Sequence, residues 1–354
     1  QWLTLYRHIF FKEKSFFRCF DSSIAFDGET PLYRLAMAIK EKRPIEGIEN
    51  VILKGTTARN FRCQHRGEDL NLLPCPDFDG LPLSEYDGLK DNGVISLTYE
   101  TSRGCYWSKC AYCVDLPIPR PAYRRKDPLI AARDLKCLHK KYKAGYFMLS
   151  DPGVSPRQMR EVSEAIIKED IPVGWWCMAR LDAGFNYEIF SIARRAGLTK
   201  INFGFESASD RVCALLDKGN EKERSLRLIK ECSRAGITAD LQTILGLPQE
   251  TFQDGLDTID FLVTHKEHIK NVTFNIYYLT PSNSVFENPA RYGIVYRRNK
   301  KLPFRFFFPF KNIRGMSMKE AFLLQKAYQR LTEEKAAPQG PAFSFEDAVF
   351  ISPD

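Results

Sequence analysis

Val94-Ile95-Ser96-Leu97-Thr98-Tyr99-Glu100-Thr101 runs directly into Ser102-Arg103-Gly104-Cys105-Tyr106-Trp107-Ser108-Lys109-Cys110-Ala111-Tyr112-Cys113, and the fold is decided there. The first eight residues read as a strand. Gly104 relaxes the backbone where that strand ends. Three thiols then follow within nine residues, Cys105 to Cys113. Downstream the pattern repeats as strand then helix. Strands are expected at 94–101, 146–150, 173–180, 200–206, 240–245 and 271–278. Helices are expected between them at 127–143, 156–169, 185–196, 220–235 and 252–268. Such alternation predicts an α/β fold with a parallel sheet, open or curled into a barrel. Six units suit a partial (β/α)6 TIM-like barrel over 93–280 better than a complete eight-unit one.

Upstream, 20–26 and 47–54 read as short strands. Gly28-Glu29-Thr30-Pro31 opens a helix between them, with Leu32, Leu35, Ala36 and Ile39 at helical spacing. The stretch Leu73-Pro74-Cys75-Pro76-Asp77-Phe78-Asp79-Gly80-Leu81-Pro82-Leu83 holds three prolines. These exclude a helix interior or a central strand, so 73–92 is expected to be a linker lying against the next domain. A C-terminal extension, 281–354, carries the aromatic run 303–310, expected to pack as core against the barrel, and a last helix at 317–334.

The 354 residues, 44% hydrophobic and 13% aromatic, can build one large domain with additions and exclude a disordered chain. No apolar run approaches the roughly 18–20 residues of a membrane span. The opening Gln1-Trp2-Leu3 lacks a signal layout and reads like the middle of something longer. The net charge of +8 permits an anionic partner without naming one. Ten irregularly spaced cysteines in a chain this long point to a reducing, cytoplasmic setting, and seven of them read as isolated core residues.

The clustered three need another explanation. A structural zinc site wants four closed ligands, and a ferredoxin-type cluster wants four cysteines. Three thiolates on a four-iron cluster leave one iron open for substrate chemistry. Against this stand chance clustering of reduced thiols and a Cys3His zinc site completed by His65 or His139.

The loop resembles the cluster-binding loop of the radical S-adenosylmethionine (SAM) superfamily, with four residues between the first two cysteines where three are usual. The resemblance extends over about 73–280. It implies that Cys105, Cys110 and Cys113 bind a 4Fe-4S cluster whose open iron chelates SAM, with Tyr112 beside the adenine. It implies further that Ser150 lies near the SAM amino end and that Arg180 faces the SAM carboxylate, a task suited to its two-pronged hydrogen bonding. Arg180 in a structural ion pair is the alternative. Glu206 and Ser207, ending the fourth strand, would sit by the ribose and methionyl part, although Ser207 or Ser209 also suits a helix N-cap. Gly246, before Leu247-Pro248-Gln249-Glu250-Thr251, would let the backbone approach the adenine, with Thr251 starting the next helix. Arg103 and Lys109 add positive charge by the cluster or are simply exposed. The implied chemistry is reductive cleavage of SAM to methionine and a 5′-deoxyadenosyl radical, which abstracts hydrogen from an unactivated carbon.

Residues 1–72 resemble the end of a Rossmann-like cobalamin-binding domain joined to such a barrel, a branch that often methylates inert carbons of peptides and natural products. The Asp-x-His-x-x-Gly cobalamin-ligand motif does not occur in the sequence. The expected partners are a small-molecule or peptide substrate and an electron donor such as flavodoxin or ferredoxin, with no membrane and no nucleic acid. The alternatives are a radical SAM RNA-modifying enzyme and a non-catalytic iron–sulfur or zinc protein. No catalytic residue is identified, although Cys177 and Cys213 are thiols able to donate hydrogen.

Overall fold

The computed structural model describes residues 17–57, 59–62, 67–85, 90–91, 94–113, 123–281, 283–296 and 307–332. Strands β1 (Ser22–Ile24) and β2 (Val51–Leu53) flank helix α1 (Glu29–Lys40) and pair antiparallel. Pro31, Leu35 and Ala38 form the buried stripe of α1, while Leu32 is 58% and Ile39 61% exposed. The expected face was therefore displaced around the helix. Residues 31, 35 and 38 share helical spacing too.

Next come β3 (Lys90–Asp91), β4 (Val94–Tyr99) and the hairpin β5 (Ser102–Arg103) with β6 (Arg124–Arg125). Alternation follows: α2 (Pro128–Tyr142), β7 (Ala144–Val154), α3 (Pro156–Lys168), β8 (Gly174–Arg180), α4 (Tyr187–Arg195) and β9 (Leu198–Glu206). It continues with α5 (Asp210–Leu215), α6 (Lys222–Arg234), β10 (Thr238–Leu245), α7 (Phe252–Thr264) and β11 (Asn271–Ile276). The sheet order is β11-β10-β9-β8-β7-β4-β3: six parallel strands in sequence order, with β3 antiparallel on the edge. This is the expected curled half-barrel. Short elements close the chain: α8 (Ser284–Glu287), β12 (Ile294–Tyr296) paired with β13 (Phe310–Asn312), and α9 (Met318–Thr332).

Local chemistry explains the boundaries. Asp127 and Ser155 accept hydrogen bonds from the first turns of α2 and α3, each with proline at the start. Thr251 and Asp254 form a reciprocal capping box on α7. Alternate strand residues such as Phe147, Leu149, Trp175, Cys177, Ile201 and Phe203 point into one core with the helices. Each large side chain buried there contributes roughly 1.5–3 kcal/mol.

The proline-rich passage lies against this core. Cys75, Phe78 and Leu83 pack on it, and the Phe78 N–H donates to the Tyr142 hydroxyl at 2.8 Å. A second apolar cluster gathers Ala111, Leu216, Leu247, Tyr277, Val285 and Tyr292, with Phe308 and Phe310 against it. Residues 303–306 of the aromatic run lie outside the described residues.

Candidate active site

The cysteine loop leaves the carboxyl end of β4 and is fastened first to the neighbouring strand. Asp151 on β7, fully buried, accepts from the Thr101 N–H at 3.2 Å and the Thr101 hydroxyl at 2.9 Å. It also accepts from the Ser102 hydroxyl and from Gln158 Nε2 at 3.1 Å. Burial raises its carboxyl above the ordinary range despite these donors, because a charge in low dielectric is penalised. Gly104 then takes a left-handed φ of +79°, turning the chain toward the cysteines. Cys105, Cys110 and Cys113 are half-buried.

The far side of the loop grips the turn after α5. Three successive carbonyls are taken. The Ala111 N–H donates to Leu216 O at 2.9 Å, Trp107 Nε1 to Asp217 O at 2.7 Å, and Arg180 Nη2 to Lys218 O. Later chain segments complete the enclosure, with the Val285 N–H on Ala111 O at 3.2 Å and Asn283 Nδ2 on Tyr112 O at 3.1 Å.

Beside the loop, β9 carries a bulge. Gly204 pairs with Gln242 and Glu206 with Thr243, leaving Phe205 as the extra residue. Glu206 adopts a left-handed φ of 69°, uncommon for a residue with a Cβ. The bulge re-aims its carboxylate at Lys218 Nζ, 2.7 Å away, and both residues are buried. A Cβ at Gly204 would lie 2.7 Å from Lys218 Nζ and 2.9 Å from Glu206 Oε1, so a side chain there would push the pair aside.

Arg180 ends β8 opposite Gly204. Its guanidinium stacks on Trp107 at 3.9 Å and lies 3.6 Å from the Asp182 carboxylate, beyond hydrogen-bonding distance. Its Nε and Nη1 are buried and have no hydrogen-bond partner. Burial raises the Cys110 thiol, and the cations Lys218 and Arg180 pull it back down, ahead of the opposing effect of Glu206. Burial likewise lowers Lys218, but Glu206 and Cys110 outweigh it and the net direction is up.

Arg180 and Glu206 thus meet the cysteine loop at the strand ends, Arg180 through Trp107 and both through the Lys218 turn; burial raises the Tyr112 hydroxyl, and Glu206, Cys110 and Cys113 push it the same way. Ser150 adjoins Asp151 and donates to Tyr99 O at 3.3 Å. Ser207 and Gly246 belong to a separate network around Glu250, which accepts from the Gly246 N–H at 2.7 Å and the Ser207 hydroxyl at 3.1 Å. Ser209 is the N-cap of α5.

Cys177 and Cys213 are buried, their thiols raised by burial. His139 Nδ1 is engaged with Ala144 O at 2.8 Å, and His65 lies outside the described residues. Among the described residues no three His, Cys, Asp or Glu side chains converge as ligands of a single metal ion. Lys218 escaped sequence reading, since a lysine in a short turn carries no signature. The three soft thiols suit an iron–sulfur cluster with several metal corners, and the two Arg180 nitrogens that make no hydrogen bond suit an anionic group beside it.

Residues 99–262 match the family described as the radical SAM superfamily. An uncharacterized methyltransferase of Pyrococcus horikoshii is 26% identical over 246 residues, which make up 69% of this chain and 52% of that one. The anaerobic magnesium-protoporphyrin IX monomethyl ester cyclase of Rubrivivax gelatinosus is 28% identical over 187 residues, 52% of this chain and 33% of that protein. The solved radical SAM methyltransferase TsrM of Kitasatospora setae, with cobalamin and a [4Fe-4S] cluster bound, superposes with a TM-score of 0.66. Its sequence identity is 18%, over 84% of this chain and 61% of TsrM. The chain spans about half or less of the two curated relatives' lengths, 52% and 33%. Among the described residues no helix is long and apolar enough to cross a membrane.

Proposed function

Because the chain belongs to the radical SAM superfamily, we propose that it forms the SAM-cleaving portion of an enzyme that methylates an unactivated carbon of a peptide or natural product. Cys105, Cys110 and Cys113 would hold the 4Fe-4S cluster. Arg180, Glu206, Tyr112 and Ser150 would surround SAM. The observation that carries the reading is Arg180, buried beside the three-thiol loop with two nitrogens that make no hydrogen bond. Asp182 at 3.6 Å offsets part of the charge without a hydrogen bond, so the two donors stay unmet at a cost that an anionic acceptor would relieve.

With the cluster and SAM bound, the chemistry supplied is one-electron cleavage of a carbon–sulfur bond of SAM. The residues of this chain do the remaining work. Arg180 fixes the carboxylate end, and the Glu206–Lys218 pair presents a fixed dipole beside it. Trp107 and Tyr106 wall the Arg180 guanidinium, at 3.9 and 5.9 Å, which keeps water from its face. Methyl transfer is supported by the naming of the Pyrococcus relative and of TsrM as methyltransferases. A flavodoxin or ferredoxin is the natural class of electron donor, and cobalamin is assigned to no residue of this chain.

The test is anaerobic reconstitution followed by reduction with dithionite in the presence of SAM. The chain should bind about four irons with sulfide and release 5′-deoxyadenosine, and Cys110→Ala should abolish both. Zinc retained in place of iron, or SAM left intact, would end the proposal. Methyl-labelled SAM and mass spectrometry of products test the methyl step.

A further inference from the structure

We propose that Asp27, supplied by the segment ahead of the barrel, is a positioning residue for the cluster because its carboxylate clasps the neck of the cysteine loop. The inference rests on the cluster assignment above and is carried by the β5–β6 hairpin. β5 leads into the stretch that holds Cys105, Cys110 and Cys113, and β6 leads out of it. Across that neck Arg103 stands directly opposite Arg124 on the antiparallel partner. Like charges facing each other on paired strands repel, and each strand here is only two residues long. The hairpin therefore needs help from outside to stay closed.

Asp27 supplies it. Its Oδ2 lies 2.7 Å from Arg124 Nη1 and 3.3 Å from Arg103 Nη1, so one carboxylate oxygen spans both strands. That oxygen is itself fixed, since it also accepts the Glu68 N–H at 2.8 Å. Arg103 pairs further with Glu29, in the first turn of α1, at 2.5 Å and with Glu100 at 2.7 Å. Arg124 donates to Glu68 O at 2.6 Å, and it sits so close over Gly67 that a Cβ there would collide with its guanidinium. The side chains of Asp27, Arg103 and Arg124 are 18% to 21% exposed, so solvent screens these contacts less than those of an open surface pair. Arg103 precedes Cys105 by two residues, and any opening of the neck is passed to the first thiol through Gly104 alone.

The experiment uses the full chain, reconstituted anaerobically with iron and sulfide, and times the loss of iron to an excess of a ferrous chelator without SAM. Asp27→Asn should shed iron about tenfold faster than the wild type, the change expected when a charged acceptor shared by two arginines becomes neutral. Arg124→Met removes one of the opposed charges. Asp27→Asn/Arg124→Met should therefore hold its iron longer than Asp27→Asn alone. A contact that merely props the upstream segment against the barrel gives the reverse order, because the double variant has also lost the bond to Glu68 O.

A wild-type chain that takes up no cluster overturns the cluster assignment and this inference with it. A wild-type cluster with iron leaving Asp27→Asn no faster overturns the clasp alone. If Asp27→Asn does not fold, a double variant that folds and binds iron is the same rescue and supports the clasp. A double variant that fails to fold, or that loses iron as fast as Asp27→Asn or faster, overturns it, since Asp27 would then hold the upstream segment and not the neck.

Discussion

The two sides of the cysteine loop treat buried charge in opposite ways. On the β7 side, Asp151 accepts hydrogen bonds from Thr101, Ser102 and Gln158, and the carboxylate is spent on holding the loop's base. On the β8–β9 side, Arg180 is 6% exposed, yet two of its nitrogens make no hydrogen bond. An unmet buried polar atom costs roughly 1–3 kcal/mol, so a fold retains one where a ligand repays it. The saturated Asp151 acts as scaffold, and the unmet donors of Arg180, beside the thiols, offer a place for a ligand.

Asp151→Ala tests the saturated side and should have the largest effect. It removes one acceptor from several buried donors and should cost about 3 kcal/mol in urea unfolding. A loss under about 1 kcal/mol would break the contrast. Arg180→Met tests the other side. Stability should change by no more than about 1 kcal/mol, while SAM binding to the reconstituted protein weakens about tenfold or more by equilibrium dialysis. An Arg180 variant as unstable as the Asp151 one would make both sides scaffold.

The smallest effect concerns Glu250, a second saturated carboxylate, which burial pushes up from 4.5 to about 8 against the donors Leu247, Ser207 and Gly246. A carboxyl whose folded value lies above its unfolded one binds a proton on folding within that window. Its contribution is full below about pH 4.5 and declines as pH rises through about 8. Glu250→Gln, neutral throughout, should flatten that decline. The urea midpoint of the variant minus that of the wild type should therefore grow from pH 5 to pH 8, and a constant difference would remove Glu250 as its source.

The barrel was largely legible because strand and helix periods alternate cleanly, and observed ends such as Arg180, Glu206 and Leu245 coincide with the expected ones. Caps at Ser209 and Thr251 were legible for the same local reason. What escaped depends on contacts between distant segments. Lys218 gains its role from a bulge created by the β9–β10 register, and no local pattern announces a bulge at Phe205. The buried stripe of α1 was misread because two stripes share one period, and the period alone does not choose between them.

The carbonyl of Tyr112 is held by Asn283, 171 positions later in the chain. During synthesis the thiols therefore leave the ribosome long before the residues that shape their loop exist. Any inorganic centre built on Cys105, Cys110 and Cys113 has its final mould only after residue 285 has been made and docked. Maturation of such a centre is a late event, and a nascent chain stalled before that point would offer delivery proteins three thiols without a template.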